Sequence, residues 1–84
     1  MPLRINPDFT LTETDDSAVL LNERTGGYWQ LNPTGARVLG DLLAGRTEEE
    51  TATGLADAYG IPRERAVADV AHLLDRLRAQ GAVR

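Results

Sequence analysis

The stretch LLNERTGGYWQLNPTG, Leu20 to Gly35, decides the reading of this chain. Val19, Leu20 and Leu21 are apolar and β-favouring, Thr25-Gly26-Gly27 suits the positive φ of a hairpin turn, and Tyr28-Trp29-Gln30-Leu31 resumes an extended run. Asn32 then stands where an N-cap side chain belongs, and Pro33 occupies a first helical position, where its missing N–H costs nothing. The stretch therefore predicts strand, turn, strand and immediate helix start. Alternation places Trp29 and Leu31 on the core face of the last strand, with Tyr28 and Gln30 opposite.

Upstream, Phe9 to Thr14 alternates apolar and polar residues and predicts a first strand. Asp15-Asp16-Ser17 makes the turn into a second strand, Ala18 to Glu23, and a third follows over Gly27 to Leu31, giving an antiparallel meander. Downstream, a first helix runs from Pro33 to Ala44 with Ala36, Leu39, Leu42 and Leu43 inward, ended by Gly45. Thr47-Glu48-Glu49-Glu50 has capping-box spacing and opens a second helix to Tyr59, closed by Gly60. A third, Pro62 to Gln80, carries Ala66, Val70, Leu73, Leu74 and Leu77 on one face, and Ala82-Val83 makes a short final strand. The expected fold class is α+β: a winged helix-turn-helix-like domain over residues 1–84, with a three-stranded antiparallel sheet followed by three α-helices.

Composition narrows the function. With 84 residues and no cysteine, the chain has a modest core and neither disulfides nor thiolate metal sites. No apolar run approaches the roughly 18 residues of a membrane span, and no signal-peptide pattern opens the chain; the reading is a cytoplasmic protein without a membrane partner. Nine Arg against thirteen acids give net −4, but the last segment, from Ile61, is basic, with five Arg against three acids.

Catalytic signals are poor. The single His72 lies mid-helix without a nucleophile nearby, and Glu48, Glu49 and Glu50 point about 100° apart on a helix, which suits the helix dipole rather than one metal ion. Gly26-Gly27 lies between strands, not before a helix as a phosphate loop requires. Ser17 follows Asp16 as a phosphopantetheine serine would, but it leads into a strand. No catalytic residue, cofactor or metal site is expected. Helix-turn-helix folds invite a DNA-binding reading through Arg63, Arg65, Arg76 and Arg78; a pI near 4.8 and the intervening Asp69 and Asp75 argue against nucleic acid. There remains peptide binding at the open edge of the third strand, with the third helix as second wall. Pattern alone leaves this level with an ordinary core role for Trp29.

The run Leu20-Leu21, Thr25-Gly26-Gly27, Tyr28 to Leu31, Asn32-Pro33-Thr34-Gly35-Ala36 and Leu42-Leu43-Ala44-Gly45 resembles the PqqD-like RiPP recognition elements, and the resemblance covers nearly the whole chain. It is most similar to the stand-alone leader-binding proteins of lasso peptide biosynthesis. The resemblance implies a non-catalytic adaptor that binds the leader of a ribosomally made precursor peptide as an added strand. Its further partners would be a leader-cleaving cysteine peptidase and an ATP-dependent cyclase. A peptide chaperone for a radical SAM enzyme is the alternative. Carried onto this chain, the strand wall would be Tyr28, Trp29, Gln30 and Leu31, and the helix wall would draw on Val67, Asp69, Val70, Leu73 and Leu74. The edge bearing Val67 and Leu74 and the edge bearing Asp69 and Leu73 both stay open. An apolar pocket between Trp29 and Val70 would suit aromatic or proline anchors.

Overall fold

In the computed structural model, which describes residues 3–15 and 17–84, three antiparallel strands precede three helices. The strands are β1 (Phe9–Glu13), β2 (Ala18–Asn22) and β3 (Tyr28–Leu31); the helices are α1 (Pro33–Leu43), α2 (Glu48–Tyr59) and α3 (Arg63–Ala79). The three strands and three helices expected all form, with their ends within a residue or two of the predicted ones. Asp16, in the expected first turn, lies outside the described residues; beside it Thr14 N–H donates to Ser17 O at 2.9 Å.

The sheet order is β1-β2-β3, so β3 is an edge strand. Leu20 pairs with Trp29 and Ala18 with Leu31, which puts these four on the core face as alternation requires. Phe9 joins them from β1, its ring meeting that of Trp29 edge-on at 6.0 Å between centroids. The β2–β3 loop is built less on glycine pairs than expected. Asn22 Oδ1 accepts from Arg24 N–H at 3.0 Å, Gly26 N–H returns to Asn22 O at 2.8 Å, and only Gly26 takes a positive φ, 79°.

Asn32 caps α1 as expected, its Oδ1 accepting from Gly35 N–H at 2.7 Å. α1 buries Val38, Leu39 and Leu42, so its stripe is turned toward Val38 and away from Ala36 and Leu43, which stay half-buried. The core has two lobes. One lies under the sheet, from Phe9, Leu20, Leu31, Leu39 and Leu77; the other lies among the helices, from Val38, Leu42, Leu55, Ala66, Val70 and Leu74. The expected final strand is a single bridge: Val83 pairs with Ile5, and Asn6 N–H donates to Ala82 O at 2.8 Å. This pins the first described residues to the end of the chain.

The capping box at α2 is complete. Glu50 N–H donates to Thr47 Oγ1 and Thr47 N–H to Glu50 Oε1, each at 3.0 Å. The Thr47 backbone and then the Thr47 hydroxyl hold the Glu50 carboxyl below its ordinary range. A depressed carboxyl stabilises the fold above its unfolded pKa, and that contribution is lost as pH falls through the folded value. Thermal melts of wild type and Glu50→Gln should accordingly differ near neutrality and converge on acidification below about pH 4.

Thr51, buried one turn into α2, has no hydrogen-bond partner for its Oγ1 among the described residues. Thr51→Val keeps the branched shape and removes the orphaned hydroxyl. It should raise stability by about 1 kcal/mol, seen as a Tm gain of roughly 4–8 °C in calorimetry.

Candidate functional site

The register fixes which backbone groups of β3 are free. Asn22 N–H donates to Gly27 O at 2.7 Å, making Asn22–Gly27 a hydrogen-bonded pair. In an antiparallel ladder bonded and non-bonded pairs alternate. Leu20–Trp29 and Ala18–Leu31 are therefore bonded pairs, and Leu21–Tyr28 and Val19–Gln30 are not. The N–H and C=O groups of Tyr28 and Gln30 thus point away from β2, to the open edge.

Beside that edge runs a groove walled by α3. One section, a cavity of about 390 Å³, is lined by Trp29, Gln30 and Leu31 of β3, by Asn32, Thr34, Gly35 and Val38 at the start of α1, and by Arg65, Asp69, His72, Leu73, Arg76 and Leu77 of α3. A second section, of about 460 Å³, shares Trp29 and Arg76 with the first and is lined also by Tyr28, Phe9, Gly27, Ala79 and Gln80. Arg65, Asp69, His72 and Arg76 recur at helical spacing and form one stripe facing β3.

This geometry separates the residues singled out above. Trp29, Gln30, Leu31, Asp69 and Leu73 come together in the groove, and Tyr28 borders its second section. Val70 and Leu74 do not: exposed by only 1% and 2%, they belong to the inter-helix core with Val38, Leu42 and Leu55. The apolar pocket expected between Trp29 and Val70 is replaced by a groove whose apolar side chains are Trp29 and Leu73, both half-buried, with Leu31, Val38 and Leu77 deeper. Val67 is 43% exposed but borders neither section. The physical reason is angular: Val67, Val70 and Leu74 lie about 120–180° around α3 from Arg76.

Sequence reasoning missed Arg65, His72 and Arg76 as groove residues. Their signal was the i, i+4, i+7, i+11 spacing shared with Asp69. Among the described residues no group of three or more His, Asp or Glu side chains is placed to hold a metal ion, and no helix is long and apolar enough to cross a membrane.

An edge strand with outward backbone groups over a semi-apolar groove is an arrangement that can accept a further strand. Residues 17–83 match the family "Coenzyme PQQ synthesis protein D (PqqD)", and the chain belongs to that family. Among solved structures, it is similar to "Lasso peptide synthetase B1 complexed with the leader peptide", with 34% identity, a TM-score of 0.92, and coverage of 100% of this chain and 99% of the other. It is also similar to "TbiB1 in Complex with the TbiA(beta) Leader Peptide", with 26% identity, a TM-score of 0.86, and coverage of 96% and 94%. No curated protein sequence matches it.

Proposed function

We propose that this chain is the leader-binding adaptor of a lasso peptide system: it takes the precursor's leader as a strand beside β3, in the groove against α3. The observation that carries the reading is the free backbone edge of Tyr28 and Gln30 above that groove, in a chain that matches proteins solved with leader peptides over 100% and 96% of its residues. The protein performs no chemistry itself. It works in the cytoplasm, where the precursor is made, and presents the leader to a cysteine peptidase and an ATP-dependent cyclase. Its family name alone would suit a chaperone for a radical SAM enzyme; the end-to-end likeness to the lasso proteins favours the first reading.

The energetics require anchors. Ordering a leader costs roughly 1–2 kcal/mol per residue fixed, while each edge hydrogen bond returns only about 0.5–1.5 kcal/mol. Apolar side chains of the leader, seated against Trp29 and Leu73, must supply the surplus at roughly 1.5–3 kcal/mol each. Trp29 is the only tryptophan and stands where the two groove sections meet, so its emission reports occupancy. Titration with a synthetic leader from a neighbouring short reading frame should change Trp29 fluorescence saturably. A flat titration, with duplex DNA shifting the signal instead, would overturn the assignment in favour of a regulator.

A further inference from the structure

We propose that Arg76 is the specificity-determining residue of the groove and reads an acidic side chain of the guest peptide. The inference rests on the strand-addition reading above. Arg76 is the only α3 residue bordering both groove sections, as Trp29 is the only one from β3. A peptide spanning both sections therefore meets Trp29 from the strand side and Arg76 from the helix side.

Arg76 is also the groove cation that its own helix leaves uncompensated. Its neighbours at i±3 and i±4 are His72, Leu73, Ala79 and Gln80, none of them anionic. Arg65, by contrast, has Asp69 one turn on. Asp69 is seven residues from Arg76, about 10.5 Å along the helix, which exceeds the roughly 6.7 Å between same-side residues of an extended guest. Among the described residues the ion pairs within 4.0 Å are Arg24–Asp8 and Arg46–Asp41, so neither Arg65 nor Arg76 is paired, and only Arg65 has an acid one turn away on its own helix.

A carboxylate suits this position chemically. It can take two parallel N–H bonds from the guanidinium, and the half-buried Trp29 excludes water from one side and strengthens the attraction. Because the whole chain carries net charge −4, an acidic peptide gains nothing from the general field. The gain is confined to one position, and so sets the register of the guest along β3.

The test is selection from a phage-displayed library of random linear peptides, keeping binders that change Trp29 fluorescence. Wild type should enrich Asp or Glu at one aligned position, and Arg76→Glu should shift that position to Lys or Arg. An acidic binder should lose about tenfold in affinity for Arg76→Glu. Arg78→Glu, outside the groove, should leave the selected pattern as in wild type. Groove binders without a charge preference, or a preference unmoved by Arg76→Glu, would overturn the proposal while leaving strand addition intact. Failure to recover any binder that perturbs Trp29 would overturn strand addition and the proposal with it.

Discussion

Gln30→Pro is expected to weaken peptide binding by about a hundredfold while the protein stays folded. The reason lies in the register. Gln30 is in a non-bonded pair with Val19, so its N–H makes no bond to β2. Proline there leaves the β2–β3 ladder whole, and Trp29 before it is already extended, as a residue preceding proline prefers. The guest strand, however, loses a backbone donor and meets a pyrrolidine ring in its path. Gln30→Ala, which keeps the backbone N–H and trims only an exposed side chain at the groove, should lose far less affinity than Gln30→Pro. Calorimetric titration of both variants, with circular dichroism to verify folding, checks the expectation. Equal affinity for Gln30→Pro and wild type would show that the guest does not pair with β3.

The second large effect separates two adjacent leucines. Leu74 is 2% exposed and packs among Val38, Leu42, Leu55 and Val70, whereas Leu73 is half-buried and borders the groove. Leu74→Ala should cost about 2–5 kcal/mol through lost burial and the cavity left behind. A domain of 84 residues has a total stability of only roughly 4–13 kcal/mol. The variant should therefore melt on the order of 10–30 °C lower, or unfold outright. Leu73→Ala should lose less stability and more affinity, since part of its surface serves the groove. Thermal melts and peptide titrations of the pair, read together, check this. If Leu74→Ala remained as stable as wild type but lost binding, the placement of the α3 stripe would be wrong.

That contrast also shows where the sequence was legible. The hairpin and helix starts were readable because their signals are local: Asn32 before Pro33, Thr47 three residues before Glu50, and the alternation that turns Trp29 and Leu31 inward. The edge status of β3 followed from its place at the end of a meander that runs straight into a helix. The groove face of α3 was harder. An apolar stripe reveals the side of a helix that is buried, and here Ala66, Val70, Leu74 and Leu77 fill the core. The groove is written instead in Arg65, Asp69, His72 and Arg76, which on a helical wheel look like an ordinary solvated face. Sequence-distant pairing was likewise invisible, as with Ile5 on Val83, because no local pattern encodes it.

Amide hydrogen exchange of β3, followed by NMR with and without a synthetic leader peptide, reads strand addition residue by residue. In the free protein the Trp29 and Leu31 amides should be protected by β2, while those of Tyr28 and Gln30 should exchange freely at the open edge. Saturating peptide should protect the Tyr28 and Gln30 amides and change the others little. If both stayed fast in the complex, or new protection arose at the β1 edge instead, strand addition at β3 would be contradicted.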